Sequence, residues 1–420
     1  MVAVYALSKR KTSVEISMLL TAVAGVLMGA IYGTPEIGQA ARHLVEGSFT
    51  YVDVVLIFLT ATIFMEIVRR SGSVDYLVRG ILKRFHGKRI VILLMLFIVI
   101  LIPGALTGAG SVSLLVVGAP VALALGYLGI SERKVAAILF ITAGLSAAAP
   151  PVNIWCMITC AGTAIPYVGF ELPLLIPVLI VGIFTMLVLG WKGEETPLEQ
   201  VMEEMGGSDK KMAWWRVALP FLVFFGLILA GRFLPFSMPI LGLPLQFVIS
   251  AVVALIVAPV KMNVLEVCSS TLKKLIPMLS TVLIVGMLQQ VMTATGVRGL
   301  LSFAVISTPL ILLYCLLAFI IPVSEGVLTY GGAAVFGIPL IWFFDSIGLH
   351  ATVALAGLSL LWPLGDGLPP TALIGRLSVM VSGYKGSYGS FLRSTWAPWI
   401  LSTVVGVLMV VFSSHLDFLV

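Results

Sequence analysis

Long apolar stretches separated by short polar loops dominate the chain. A helix that crosses a membrane needs about 20 mostly apolar residues. The sequence supplies eleven such stretches, several of them short or interrupted by Gly and Pro: 15–33, 53–68, 89–103, 134–149, 172–190, 217–231, 243–259, 275–291, 307–321, 351–362 and 396–414. This pattern predicts an all-α integral membrane protein with ten to twelve membrane passes, counting re-entrant pieces.

Composition supports this reading. Of the 420 residues 60% are apolar and 10% are charged, so membrane lipid must cover apolar surface that a soluble fold of this size could not bury. The net charge of +6 comes from Lys and Arg at the ends of apolar stretches. That placement is typical of cytoplasmic loops and not of a nucleic-acid surface. The basic flank before the first stretch, Lys9 to Lys11, predicts a retained span and not a cleaved signal peptide.

The two halves of the chain resemble each other. A polar linker, 192–213, divides the sequence into a first repeat, 1–191, and a second, 214–420. The double proline Pro150-Pro151 has a counterpart in Pro369-Pro370, and 369 − 150 = 219. The same offset carries Pro103 onto Pro322, and FMEIVRRSG (64–72) matches LQQVMTATG (288–296) at 296 − 72 = 224. Proline and glycine spacing reports backbone geometry, so the match predicts a structural repeat.

Charge predicts the orientation of the repeats. The loop after the first matching segment is rich in basic residues: Arg69, Arg70, Arg79, Lys83, Arg84, Lys88 and Arg89. The equivalent stretch of the second half, 293–306, carries only Arg298. Since cytoplasmic loops collect Lys and Arg, equivalent loops should lie on opposite membrane faces. This predicts an inverted-topology repeat, a frequent plan of secondary transporters.

Each half contains two interrupted elements. PGALTGAGSVSLLVVGAP (103–120) and PVSEGVLTYGGAAVFGIP (322–339) are too short and too Gly-rich for full spans, which predicts re-entrant hairpins with tips at 107–111 and 324–332. Each double proline should break the helix that contains it. Broken helix ends expose backbone groups suited to binding ions and carboxylates. Two tips facing two breaks would form one central site.

The few polar residues of these elements are the candidate ligands. Substrate-binding candidates are Asn153, Arg376, Thr107, Ser111 and Thr371, and cation-binding candidates are Glu325, Asp366, Ser113, Ser324 and Thr329. Structural roles compete with these assignments. Hydroxyl groups in membrane helices commonly bond to the backbone. Asn153 could cap the half-helix after the break, Arg376 could extend outward to the membrane surface, and the two acids could form a structural contact. Ionisable groups inside a span are nevertheless functional by default.

These motifs resemble the large membrane subunit of tripartite ATP-independent periplasmic (TRAP) transporters. The resemblance covers roughly residues 50–190 and 275–400, and rests on the order FME…RRSG, GALTGAGSVSLLVVG, APPVNIW, SEGVLTYGGAAVFGIPL and GLPP. The sequence departs from that family at the first tip, where Ala109 and Gly110 replace two serines. The resemblance implies an elevator-type, Na⁺-coupled carrier of small organic acids in the prokaryotic cytoplasmic membrane. It also implies a separate four-helix membrane subunit and a periplasmic binding protein; related carriers of the wider ion-transporter superfamily, some of them coupled to protons, work without either.

Two other functional classes fit less well. A channel would need a continuous polar lining along a pore, whereas the polar residues here cluster at two symmetry-related breaks. An intramembrane enzyme would need a convergent catalytic set such as HExxH, and the four histidines lie near the ends of apolar stretches. The sequence therefore predicts a cation-coupled transporter and no enzymatic activity.

Overall fold

The computed structural model describes residues 13–32, 36–204, 212–234, 239 and 241–420, and every regular element among them is helical. The predicted basic flank Lys9–Lys11 and part of the predicted linker lie outside these residues. The helices of the first half are α1 Val14–Ile31, α2 Ile37–Phe49, α3 Val52–Arg70, α4 Ser73–Arg84, α5 Arg89–Thr107, α6 Gly110–Tyr127, α7 Glu132–Ala148, α8 Ile154–Thr163, α9 Glu171–Gly190 and α10 Leu198–Glu204. Those of the second half are α11 Trp214–Phe233, α12 Leu243–Val257, α13 Val264–Ala294, α14 Val297–Ser307, α15 Leu310–Leu328, α16 Ala333–Ser346, α17 Ala351–Gly365, α18 Leu373–Ser382, α19 Tyr388–Ser394 and α20 Trp396–Val411.

The chain is a multi-pass membrane protein by the length and composition of its helices. Seven helical segments in the described part of the chain are long and apolar enough to cross a membrane, or eight if the bent pair α19–α20 forms one span. Seven more apolar helices are shorter. The difference from the expected ten to twelve passes arises because Pro and Gly divide several apolar stretches into half-length helices.

Equivalent elements follow one another in the same order in the two halves. Residues 41–70 form one rod of α2 and α3, and α13 forms the matching rod of 31 residues. Each rod ends at a left-handed glycine, Gly72 (φ 82°) or Gly296 (φ 76°), before a short arm, α4 or α14. Glycine permits this sharp change of direction because it has no Cβ. The hairpins α5–α6 and α15–α16, the interrupted pairs α7–α8 and α17–α18, and α9 and α20 complete the correspondence.

Two groups of helices pack against each other. In the first group, α13 packs on α1, α2 and α3, and α12 packs on α3 and α11. A buried carboxylate joins α3 to α13, since Glu66 bonds to Arg69 and Arg70, and Arg70 donates to Ser270 at 2.7 Å. In the second group, α7 packs on α5, α9 and α18, and α17 packs on α20. The two hairpins lie where the groups meet.

The hairpins enter this bundle from opposite ends. Arg89, at the start of α5, donates to the carbonyl oxygens of Gly190 (2.8 Å) and Leu128 (2.7 Å), which defines one end, here called the Arg89 end. Arg298, at the start of α14, donates at 2.8 Å to Gly162 at the end of α8, which defines the Arg298 end. Hairpin α5–α6 begins and finishes at the Arg89 end, and hairpin α15–α16 starts directly after α14. Which end faces the cytoplasm stays a prediction from the basic loops.

Candidate functional site

The hairpin tips meet in the middle of the bundle. In the first hairpin α5 ends at Thr107, and Gly108 (φ 69°) turns the chain into α6. In the second, the turn begins at Thr329, whose φ of 52° is unusual for a β-branched residue and marks local strain. The Tyr330 hydroxyl donates to the carbonyl oxygen of Gly108 at 3.4 Å. Both hairpins also contain a π-helical turn, Leu114–Gly118 and Ala333–Gly337, related by the offset 333 − 114 = 219.

The two breaks are fastened to the hairpins by similar bonds. The Pro150-Pro151 and Pro369-Pro370 peptide bonds are both cis. After the first, the amide of Val152 donates to the carbonyl oxygen of Ala105 in α5 at 3.1 Å. After the second, the amide and hydroxyl of Thr371 both donate to the carbonyl oxygen of Gly326 in α15, at 3.3 and 3.0 Å. Each break is therefore held against the hairpin of its own half.

A small, partly open space lies where these elements converge, here called the central cavity. Its volume is about 50 Å³. It is lined by Glu15, Gly110, Ser111, Met278, Thr281, Glu325, Thr329, Tyr330, Asp366, Leu373 and Ile374. The predicted residues Ser111, Glu325, Thr329 and Asp366 thus come together although up to 255 positions (366 − 111) separate them in sequence. A space of this size accommodates a cation or a few water molecules.

Two helix N-termini with free backbone donors contribute residues to the lining of this cavity. The first amides of α6, those of Gly110 and Ser111, make no hydrogen bond to any residue in the described part of the chain, and the same holds for Leu373 and Ile374 at the start of α18. No side chain caps either helix. All four residues line the central cavity. A helix N-terminus carries a partial positive charge, and its free N–H groups bind anions.

Two buried acids line the same cavity. Glu325 is 1% exposed and Asp366 is 7% exposed, and their carboxylates are close enough to repel each other when both are charged. The Trp155 indole lies beside Glu325, yet Nε1 of Trp155 and Oε2 of Glu325 have no hydrogen-bond partner within the described ranges. Among the lining residues there is no Lys, Arg or His. Buried acids without a counter-charge need a bound cation or a proton.

The other predicted ligands have structural partners in the same hairpins and breaks. The hydroxyl groups of Thr107 and Ser324 donate to Pro103 and Ile321 at 2.7 Å, and that of Ser113 donates to Ile100. These three bonds stay within a hairpin, so they stabilise its backbone. None of the three side chains lines the central cavity.

Asn153 and Arg376 bond to the backbone around the two breaks. The Asn153 amide accepts from the amide of Cys156 at 3.0 Å and donates to the Ala148 carbonyl at 2.9 Å, so it caps α8 and spans the first break. The exposed guanidinium of Arg376 donates to the Pro370 carbonyl at 3.0 Å, outside the cavity lining. Their roles in substrate binding stay predictions.

Sequence reasoning missed several residues of the cavity. Glu15, in the first turn of α1, lines it from the first group of helices. In the sequence Glu15 lies at the edge of the first apolar stretch, where an acidic residue is expected to be exposed to water at the end of a membrane span. Met278 and Thr281 of α13 and Tyr330 at the second tip are the others. The signal for Tyr330 was its position inside the predicted tip 324–332.

Comparison with known proteins agrees with a transporter fold. The sequence profile of the C4-dicarboxylate anaerobic carrier family (DcuC) matches residues 22–297. The structure is similar to that of MtrF from Neisseria gonorrhoeae, described as illuminating a class of antimetabolite efflux pumps, with a TM-score of 0.57, 12% sequence identity, and coverage of 95% of this chain and 94% of MtrF. At that identity the likeness concerns the fold alone. No curated protein sequence matches this chain.

Proposed function

We propose that this chain, which belongs to the C4-dicarboxylate anaerobic carrier family, is a secondary transporter that moves a small dicarboxylate together with a cation by alternating access. The supporting observation is the lining of the central cavity. The lining includes four residues with free backbone amides, from two helix N-termini, and two buried acids, and it includes no basic side chain. Such a lining suits an anion and a cation bound side by side.

The amides would hold the substrate. A carboxylate accepts several N–H bonds, and each is strengthened when water is excluded. The donors come from Gly110 and Ser111 of one half and from Leu373 and Ile374 of the other. A linear dicarboxylate has one acid group for each helix end. The hydroxyl of Ser111 lines the same space, and Arg376 would attract the anion from outside the cavity.

The acids would hold the cation. Bringing a dianion next to Glu325 and Asp366 is unfavourable unless a positive charge enters with it. Binding of substrate and cation is then mutually dependent, which is the thermodynamic basis of symport. For Na⁺, the two carboxylates together with the hydroxyl of Thr329 would supply oxygen ligands.

A proton is the second candidate for the coupled cation. Two carboxylates buried against each other cannot both be ionised at low cost, and they commonly share one proton. In the described residues there is no group of three or more His, Cys, Asp or Glu side chains placed to hold a metal ion. The unpartnered Oε2 of Glu325 is a natural position for the shared proton.

The carrier must open to load its substrate. A space of about 50 Å³ is smaller than a four-carbon diacid, whose volume is on the order of 100 Å³ given that one water occupies about 30 Å³ in the liquid. Opening would separate the tips at the Tyr330–Gly108 contact. An elevator movement of hairpins and broken helices against the rods α2–α3 and α13 would then expose the site alternately at the two ends.

The chain would work alone in the cytoplasmic membrane of a prokaryote. The tripartite assembly implied by the TRAP resemblance has no support in the family match, which names a C4-dicarboxylate carrier. We therefore favour a stand-alone carrier of the wider ion-transporter superfamily over a subunit that requires a four-helix partner and a binding protein.

Uptake by liposomes that contain only this chain tests the proposal. Radiolabelled succinate, fumarate and malate would be offered, with acetate as a monocarboxylate control, under a Na⁺ gradient, a proton gradient or neither. We expect uptake of the diacids that depends on one gradient and is lost in both Glu325→Gln and Asp366→Asn. Uptake that is equal without any gradient, or a normal gradient dependence in both variants, would contradict coupling at these acids.

A further inference from the structure

A second charged cleft, separate from the central cavity, lies at the Arg89 end of the bundle. It has a volume of about 370 Å³ and lies between the start of α7 and the corner where α19 meets α20. Its polar lining consists of Arg133, Lys134, Ser390, Arg393, Ser394 and Trp396. Three cations, the Ser390 hydroxyl and an indole N–H can donate hydrogen bonds, whereas the Ser394 hydroxyl already donates to the Phe391 carbonyl at 2.6 Å. No acidic residue lines the cleft. We call it the basic cleft.

The cations of the basic cleft lack acidic partners. None of the three forms an ion pair with an Asp or Glu of the described residues. Arg133 and Lys134 also lie in the first turn of α7, where the helix dipole disfavours positive charge and favours an anion. Arg133 reaches across the cleft to donate to the Ser390 hydroxyl at 3.3 Å, which orients its guanidinium towards the opposite wall. A cleft lined by three cations and no acidic residue is suited to binding an anion between its walls.

The position of the basic cleft relative to the membrane surface indicates which anion it binds. Trp396 in its wall is 67% exposed, and Trp191, at the end of the neighbouring helix α9, is 57% exposed. Exposed tryptophans at the ends of membrane helices mark the level of the lipid head groups. The Arg89 end also carries the basic arm α4, which predicts the cytoplasmic face. Anionic phospholipids give that face its negative surface potential.

We propose that the basic cleft binds a phosphate group, and that the phosphate belongs to an anionic phospholipid such as phosphatidylglycerol. Arginine forks and hydroxyl groups are well matched to phosphate oxygens. The bound lipid would tie α7 to the corner of α19 and α20, which bends by 56°. It would also steady the central site, because Tyr388 of α19 donates to the Gly367 carbonyl in the second break at 2.8 Å.

Lipid retention by the purified full chain tests this site independently of transport. The wild type, Arg133→Gln/Arg393→Gln, and the control Lys83→Gln/Arg84→Gln on the exposed surface of α4 would be purified in a neutral detergent. Phosphatidylglycerol or phosphatidylcholine would then be titrated in, and binding read by native mass spectrometry. We expect the cleft variant to bind phosphatidylglycerol at least about tenfold more weakly than the control, because only the cleft variant loses the two guanidinium groups that would bond to one phosphate.

Three outcomes decide between the sources of the phosphate. Weaker phosphatidylglycerol binding in the cleft variant alone, without a change for phosphatidylcholine, supports the lipid. Stabilisation of the wild type by millimolar inorganic phosphate, lost in the cleft variant and not reproduced by phosphatidylglycerol, assigns the site to a free phosphate compound. Equal lipid binding by all three proteins overturns the proposal. If the double variant does not fold, Arg393→Gln alone, at an exposed position, replaces it.

Discussion

The Tyr330 hydroxyl donates to the carbonyl oxygen of Gly108 across 3.4 Å, and these two residues belong to hairpin tips that enter from opposite ends of the bundle. The Tyr330 ring also lies against Trp155, with 5.4 Å between the ring centroids, and Trp155 lies beside Glu325. One tyrosine thus contacts the opposite tip and the indole next to the buried acid. Two aromatic side chains therefore form a continuous line of contacts from the first tip to Glu325.

Tyr330→Phe tests this contact with the smallest change. The ring packing is retained and only the hydroxyl is lost, which removes a hydrogen bond worth about 1 kcal/mol. If the contact holds the tips closed, we expect the apparent KM for substrate to change roughly fivefold, with the melting temperature nearly constant. The measurement is uptake kinetics in liposomes beside a thermal melt in detergent. Tyr330→Phe with wild-type kinetics would remove the hydroxyl from the closing mechanism.

Gly110→Ala should impair transport by displacing the free N-terminus of α6. A Cβ at this position would collide with the backbone carbonyl of Ala143 and the side chain of Ile374. The matched control is Gly126→Ala in the same helix, where a Cβ meets nothing within 4 Å. We expect uptake to fall severalfold or more in the first variant. The second should match the wild type or gain about 1 kcal/mol of helix stability, and equal uptake by both would argue against a role for the α6 amides.

Asn153→Ala separates capping from substrate binding. The alanine leaves the amide of Cys156 and the carbonyl of Ala148 unpaired in a buried break, which should cost about 1–3 kcal/mol of stability. Asn153→Asp retains the acceptor for the cap. We expect a lowered melting temperature in Asn153→Ala, partial recovery in Asn153→Asp, and an unchanged KM in both. A large rise in KM at normal stability would instead support Asn153 as a substrate ligand.

Thr329 has a strained backbone, and its hydroxyl is a predicted cation ligand. Two substitutions distinguish the effect of the strain from the effect of the hydroxyl. Thr329→Gly removes the strain of φ 52° and the hydroxyl, whereas Thr329→Ala removes the hydroxyl alone. We expect Thr329→Gly to stabilise the second tip by about 1 kcal/mol relative to Thr329→Ala. Both should require more Na⁺, or a lower pH, for half-maximal uptake. Normal cation dependence in Thr329→Ala would exclude the hydroxyl as a ligand.

Opposite orientation of the two halves predicts opposite labelling of two equivalent loops. Ser131 follows the first hairpin and Ser346 ends the second, and both are exposed. Single cysteines would be placed at each position in a background without Cys156, Cys160, Cys268 and Cys315. An impermeant thiol reagent applied to intact cells should label Ser346→Cys only, and Ser131→Cys should react after the membrane is permeabilised. Labelling of both from the same face would contradict an inverted repeat.

The arrangement of hairpins and breaks was predictable because Pro and Gly constrain the backbone locally. The double prolines, Gly108 and the polar tip around Thr329 identified where the chain turns, and Glu325 and Asp366 stood out because acids are rare in apolar sequence. The partners of individual side chains were less predictable. Whether Ser113 faces a cavity or a carbonyl depends on the rotation of a helix by a fraction of a turn, which spacing alone does not determine.

Local sequence patterns could not predict the cavity residues that come from helices distant in sequence. Glu15 reaches the central cavity because α1 packs along α13, a contact between segments more than 200 positions apart. The free amides of Leu373 and Ile374 depend on Ala372 adopting a left-handed conformation (φ 44°) that leaves α18 uncapped, while Asn153 caps the equivalent helix. The sequence shows that Ala372 stands where the equivalent helix has Asn153. Only the backbone geometry shows that the amides after Ala372 are therefore free to donate hydrogen bonds.

Among the described residues, helix α11 has no counterpart in the first half, and it buries few of its own residues: Val217, Pro220 and Phe224. Its last turn lies beside the start of α9, because Arg232 pairs with Glu171 at 2.7 Å, so α11 runs antiparallel to α9. The chain leaves α9 at the Arg89 end, and α11 returns it to the opposite end before α12 begins. A duplicated unit joined without this single extra crossing would repeat in parallel, and both hairpins would then open to the same compartment. The two hairpins thus enter the bundle from opposite ends because one sparsely packed helix adds a single crossing between the repeats.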